Sequence, residues 1–219
     1  FLPPRSRPPL SVEYCSHGFI LVGEIVAAAA GMPLDRAMRA LVFDPLQMQD
    51  TQFNPPPTLH GRIASTEDDP WRGRVVIGEV HDENAVRMGG VCGHAGLFAC
   101  TSDLAALCRA MLGKKLADGT DFLHPFTRAL MTKNHTQGLN LARGLGWQGK
   151  DARSSPGGDL FSESSYGHTG FTGTSLWIDP ALGLYAVLLT NRVHPTRSGD
   201  AILRIRRIFH NLAVLTCCK

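Results

Sequence analysis

Two short segments carry residue types that can do chemistry. The run Tyr166-Gly167-His168-Thr169-Gly170-Phe171-Thr172-Gly173-Thr174 sets an imidazole and a hydroxyl among glycines at the entry to a strand. Glycines let a ligand approach the main chain closely, and a strand edge there offers N–H donors to a carbonyl or an oxyanion. The plainer reading of the same residues is a Gly-rich strand entry with a solvated histidine. The second run is Tyr14-Cys15-Ser16-His17-Gly18, before an apolar stretch. There a phenol, a hydroxyl and the free N–H groups of a helix start converge. A tyrosine serves as a general base only when a nearby cation pulls its pKa down from about 10. The plainer reading is a packed Tyr14 and a Ser16 that caps a helix. His81, Asp82, Glu83 and His94 offer metal-binding atoms, but their spacing fits neither His-Glu-x-x-His nor another ligand pattern, so no metal is expected and a loop tied by carboxylate hydrogen bonds is.

The elements that position these residues follow from pattern. Phe1 to Leu10 is Pro-rich and reads as an extended loop. A buried helix is predicted from about Gly18 to Ala30, with Gly31 as its C-cap and Pro33 blocking continuation. A second, from about Leu34 to Phe43, carries Leu34, Met38, Leu41 and Val42 on one core-facing stripe. From Asp44 to about Glu83, Pro, Asp, Thr and Arg predict an irregular excursion. Thr101 or Ser102 is placed to cap a helix from Asp103 to about Leu112, and another helix is predicted near Pro125 to Thr132. Leu176 to Ile178, the turn Asp179 to Gly183, and Leu184 to Thr190 read as a β-hairpin of buried strands. A closing helix from about Asp200 to Leu215 puts Ile202, Ile205, Ile208, Phe209 and Leu212 on one face, which would pack over the hairpin.

Composition bounds the rest. A chain of 219 residues, 43% hydrophobic, buries roughly 70% of its unfolded surface as one domain. Net charge is +3 with the basic residues scattered apart from Arg204, Arg206 and Arg207, which argues against a nucleic-acid partner. The longest apolar stretch, Gly18 to Gly31, contains Glu24 and falls short of the ~20 residues that span a bilayer. Six cysteines without a Cys-x-x-Cys pair read as buried free thiols in a reducing compartment.

Taken together, the motifs carry a resemblance. Tyr14 to Ile25, then Gly31-Met32-Pro33-Leu34-Asp35 and Phe43-Asp44-Pro45-Leu46-Gln47-Met48, resemble the Tyr-x-Asn region of class C β-lactamases, DD-peptidases and related esterases. His168-Thr169-Gly170 resembles their Lys-Thr-Gly strand motif in the His-containing form of esterase-like members, and Gly96-Leu97-Phe98 with Ser102-Asp103-Leu104-Ala105 resembles the helix entry between the two. Val80 to Ala85 and Gly90 to Gly96 are most similar to bacterial serine hydrolases of muropeptide turnover.

The resemblance implies an α+β fold of the serine β-lactamase/transpeptidase type. Its helical lobe would span about residues 11–150, and a C-terminal hairpin and closing helix, about 160–215, would join an antiparallel sheet. It implies catalytic roles for Tyr14 as proton relay, His168 in place of the usual Lys, and the Phe171 N–H as half of an oxyanion hole. Ser16, Thr169 and Gly170 would contact substrate, Ser16 standing where the family has Asn. No cofactor is implied. None of the serines in the chain has a Lys three residues later, so the nucleophile helix and the first strands of the sheet are expected upstream, leaving an exposed sheet edge. The activity implied is hydrolysis of small-molecule esters, amides or muropeptide-like substrates through an acyl-enzyme, in a bacterial cytoplasm or periplasm. The alternatives are a non-catalytic module binding muropeptide- or β-lactam-like ligands, or a degenerate remnant.

Overall fold

The computed structural model describes residues 11–151 and 155–218, so the Pro-rich opening lies outside it. Helix α1, Ser16–Ala30, starts two residues earlier than expected: Cys15 is the extended residue before it, and Ser16 sits inside the first turn and not at the cap. Gly31 closes the helix with φ 63°, as its sequence predicts. Contrary to the expectation of a buried helix, only Gly23 is buried, while Leu21, Val22 and Ile25 are exposed. The reason is a main-chain contact: a Cβ on Gly23 would stand 2.9 Å from Gly93 Cα, and one on Gly93 would collide with the carbonyl oxygen of Phe19. The helix rests on the Gly93 loop through a glycine, and its bulky residues flank that contact. Helix α2, Leu34–Met38, widens into a π turn over Arg39–Phe43, closed by Asp44 N–H donating to Arg39 O at 2.9 Å. The extra residue in that turn rotates Leu41 off the predicted stripe to 58% exposure and turns Phe43 inward against Leu46, Met48 and Ala110.

The following stretch holds only strands β1, Gln52–Phe53, β2, Asp68–Asp69, and β3, Arg74–Val75, with a 3-10 turn over Pro57–Arg62. Charge pairs order it alongside a few buried residues, Leu46, Met48, Val76 and Val80. Arg72 is buried between Asp69 and Glu79, and Arg62 pairs with Asp50 at 2.7 Å. Helix α3, Glu83–Arg87, is capped by the Asp82 carboxylate, which accepts from Ala85 N–H at 2.9 Å. Strand β4, Leu97–Phe98, pairs with β1. Helix α4, Thr101–Met111, is preceded by Cys100 at the cap position, displacing the predicted Thr101 or Ser102. Its Asp103 accepts from Thr51 Oγ1 at 2.8 Å and Asp50 N–H at 2.9 Å, tying the stretch to the helix. Helix α5 is Pro125–Thr132, as expected.

Strands β5, Gln148–Gly149, β6, Tyr166–Thr169, β7, Ser175–Asp179, and β8, Leu184–Leu188, form an antiparallel sheet in that order. The two-residue period sorts its faces. Tyr166, Ile178, Tyr185 and Val187 meet Cys108 and Met111 of α4 on one side. Trp177 and Ala186 meet Phe161 and the closing helix α6, Ala201–Cys217, on the other. Gly167 is opposite Trp177 because any Cβ there would collide with the indole.

Helix α6 corrects the predicted face. Its buried residues are Ile202, Arg206, His210 and Val214, while Ile205, Ile208 and Leu212 are exposed; only Ile202 and Phe209 of the predicted set pack inward. Two of the four inward residues are polar, which hides this stripe from a hydrophobic count. His210 Nε2 lies 3.0 Å from Ser175 Oγ. The thiols divide also: Cys92 and Cys108 are buried as expected, whereas Cys15, Cys217 and Cys218 are exposed and Cys100 is half-buried. Among the described residues no single helix is long and apolar enough to cross a membrane.

Two outcomes follow from these contacts. Gly93→Ala forces a methyl against main-chain atoms that no rotamer can move, so it should cost about 3 kcal/mol in denaturant unfolding, and a midpoint equal to wild type would remove the glycine contact as the reason for α1's position. His210, fully buried, is held at about 4 against an ordinary 6.5 by desolvation and then by the charge of Arg206. The unfolded chain therefore takes up a proton between pH 6.5 and 4 that the folded chain refuses, and stability falls as pH drops through that window by on the order of 3 kcal/mol. The window of Glu67, from 4.5 to about 2, lies lower. Thermal melts of His210→Gln should lose most of the slope above pH 4.5, with the remainder due to His168; an unchanged slope sinks the assignment.

Candidate active site

The sheet and α1 bring the two chemistry-bearing segments together. Tyr14 lies just before α1 and is 51% exposed, and His168 lies on β6, on the α4 side of the sheet opposite Leu176. Their rings are 5.7 Å apart, tilted by 44°. The Arg143 guanidinium carbon sits 5.6 Å from the Tyr14 ring centroid, a cation contact that the sequence did not disclose.

Hydrogen bonding settles the tautomer of His168. Nδ1 is 2.8 Å from the carbonyl oxygen of Thr169, which can only accept, so Nδ1 carries the hydrogen and Nε2 of the neutral ring keeps its lone pair. Burial lowers the pKa of this imidazole below 6.5, and the charges of Arg143 and Arg206 push it the same way, against the Thr169 bond. His168 is therefore a neutral acceptor near neutral pH. It cannot draw the Tyr14 proton off by charge as a lysine would, and its Nε2 keeps a lone pair that can accept a proton.

The other sequence-identified residues fall into place unevenly. Gly170 begins the turn between β6 and β7, donating from its N–H to Thr174 O at 2.8 Å, and a Cβ on it would strike Thr174 Oγ1. Phe171 is 59% exposed, its ring stacked 5.7 Å from His81 on one side and 4.2 Å from the Arg192 guanidinium carbon on another. The N–H groups of Phe171 and Thr172 donate to nothing among the described residues. The Thr169 carbonyl holds His168 while its side chain lies on the α6 face of the sheet, opposite Ser175, and the Ser16 side chain makes no hydrogen bond among the described residues, so neither side chain is tied to the Tyr14–His168 pair.

Beside Phe171, the acidic and His residues of the excursion form a network with a late loop. Glu67 is buried, 2.8 Å from His81 Nε2 and 2.6 Å from Arg197, which reaches Glu83 at 2.8 Å. The Arg197 hydrogen bonds hold the Glu67 carboxyl down to about 2, opposed by burial. Asp82 meets His94 Nε2 at 2.9 Å. These side chains satisfy one another in the manner of a loop tied by carboxylates. Arg192 and Arg197 escaped sequence reading because lone arginines in a loop carry no spacing signal. A cleft of about 490 Å³ lined by Asn54, His60, Arg74 and Glu79 shares no residue with the Tyr14–His168 pair.

Comparison with known proteins bears on the family and the fold. A D-alanyl-D-alanine carboxypeptidase, named as a predicted one, from Salmonella schwarzengrund is 36% identical over 208 residues, covering 88% of this chain and 48% of its own. The chain thus spans about half the length of the curated relatives it matches. Among solved structures, a β-lactamase from Mycobacterium bovis superposes with a TM-score of 0.69 at 19% identity, covering 96% of this chain and 66% of that one. A penicillin-binding protein homologue from Caulobacter crescentus gives a TM-score of 0.67 at 21% identity, with coverages of 94% and 59%. The α+β, serine β-lactamase/transpeptidase-like fold is the one these share. With the Beta-lactamase family matched over residues 1–209, the chain belongs to that family.

Proposed function

We propose that these residues form the proton-relay and oxyanion side of an acyl-transfer site that cleaves small esters or amides, D-alanyl peptides of the muropeptide type included. The observation that carries this reading is the Tyr14–His168 pair, with rings 5.7 Å apart and Nε2 of His168 free to accept. The names of the relatives support the substrate class. No serine of the chain is followed by Lys at the third position, so the nucleophile assigned here is a Ser-x-x-Lys in sequence outside these 219 residues.

In this reading the serine oxygen attacks the carbonyl carbon and its proton passes to the relay of Tyr14 and His168. The negative charge that develops on the carbonyl oxygen is met by the N–H of Phe171. The leaving oxygen or nitrogen departs with a proton returned through Tyr14, and water repeats the sequence in reverse to free the serine.

The test uses the longest natural reading frame that contains these residues, incubated with p-nitrophenyl butyrate and with a fluorophosphonate probe, then analysed by intact mass and peptide mapping. One stoichiometric adduct on a serine followed at the third position by Lys is the expected result. A folded protein that takes no adduct would leave the second reading, a module that binds without turnover. In the active protein, Tyr14→Phe should lower kcat roughly 100-fold, the scale of a lost general acid–base group, with the melting temperature unchanged. The wild-type rate should fall on the acid side with a midpoint below pH 6.5, where His168 takes up its proton, and His168→Gln should abolish that limb. A limb that survives the substitution belongs to another group.

A further inference from the structure

The turn that follows the His168 motif is held through its carbonyls. All five carbonyls from Gly170 to Thr174 accept hydrogen bonds. Arg206 Nη2, from α6, donates to Gly170 O at 2.6 Å and to Thr174 O at 2.8 Å. Arg192 Nε donates to Phe171 O at 2.9 Å, and its backbone N–H to Thr172 O at 2.7 Å. Thr190 Oγ1 donates to Gly173 O at 2.8 Å. In a planar trans peptide the carbonyl of one residue and the N–H of the next point in opposite directions. Drawing Gly170 O toward Arg206 therefore aims the Phe171 N–H away from it, and drawing Phe171 O toward Arg192 does the same for the Thr172 N–H. Gly173 N–H also donates to Gly170 O, at the longer distance of 3.1 Å.

Arg206 is not where a stabilising charge belongs. It is 5% exposed, forms no ion pair among the described residues, and its Nε has no partner. Burial lowers its affinity for its proton, and the nearby charge adding to this is the like charge of Arg192. A desolvated cation without an anion costs stability, and an apolar residue of similar bulk would serve the core of α6 better. Gly170, which carries no Cβ, leaves the peptide that follows it free to turn over unless something holds it.

We propose that Arg206 is a positioning residue for the acyl-transfer site: its guanidinium fixes the Gly170–Phe171 peptide so that the Phe171 N–H faces the substrate carbonyl, with Arg192 holding the next peptide in the same sense. Turned over, that peptide would present a carbonyl to the developing oxyanion and its N–H to a guanidinium, both repulsive. The proposal rests on the acyl-transfer reading for its consequence in catalysis, but the peptide geometry stands independently of it.

The experiment compares wild type, Arg206→Met and Arg206→Lys in the longest natural reading frame, with three readouts: the amide signals of Phe171 and Thr172 in ¹H–¹⁵N spectra, the melting temperature, and kcat and KM for p-nitrophenyl butyrate. In Arg206→Met the Phe171 amide signal should shift or broaden and the melting temperature should hold or rise. The rate constant kcat should fall roughly 100-fold, the scale of one lost oxyanion donor, with little change in KM. Arg206→Lys, which keeps a donor and the charge, should recover part of kcat. A lower melting temperature with amide signals and kcat unchanged would make Arg206 a structural residue only and overturn the proposal. Should Arg206→Met fail to fold, the Lys variant decides on the same amide and kcat readouts. A wild type that does not turn over the ester removes the catalytic reading, while the amide signals still decide whether the guanidinium sets the peptide.

Discussion

The inward face of α6 organises the C-terminal half of the molecule, and half of that face is polar. Ile202 and Val214 supply ordinary burial, but Arg206 and His210 between them meet the β6–β7 turn and Ser175, which are main chain and hydroxyl and not hydrocarbon. Seating the helix on the sheet and seating the turn beside His168 are consequently one event. A purely apolar stripe would allow the helix to slide or rotate by a residue at small cost, whereas donors facing particular carbonyls admit one register.

The electrostatics of the site follow from an exchange of charge. Where the motif it resembles carries a lysine, His168 is held neutral by burial, with the charges of Arg143 and Arg206 acting the same way and the Thr169 bond opposing them. Positive charge is present, but it comes from other elements: Arg143 at the Tyr14 ring and Arg192 at the Phe171 ring. The cation is thus separated from the proton acceptor. Polarity at the turn is supplied by main-chain dipoles, which do not titrate.

Sequence pattern revealed every α-helix but the short α3, the hairpin and both motif segments because each rests on local signals: Gly31 after an apolar run, the Asp179–Gly183 turn, and the glycines around His168. It misplaced whatever depended on a partner distant in the chain. The face of α6 was drawn through Ile205, Ile208 and Leu212 because those residues are apolar, while two of the residues that turn inward, Arg206 and His210, meet carbonyls and a hydroxyl more than thirty positions earlier. Leu41 was lost to a π turn, which adds a residue where periodicity assumes none. Tyr14 and His168 were each recognised, but their meeting is a product of the sheet and of α1's seat on Gly93, and Arg143 had no local mark at all.

The contact between Gly23 and Gly93 has a consequence for how the sequence can drift. Because the two segments meet at main-chain atoms closer than a Cβ allows, neither position tolerates a side chain, and the constraint is indifferent to chemistry: alanine meets it as aspartate does. The outward residues of the same helix, Leu21, Val22 and Ile25, are exposed and carry no such restriction from this contact. Along one helix, then, the two immobile letters are those with the least information in their side chains, and the conspicuous hydrophobic ones are, as far as this contact is concerned, the free ones.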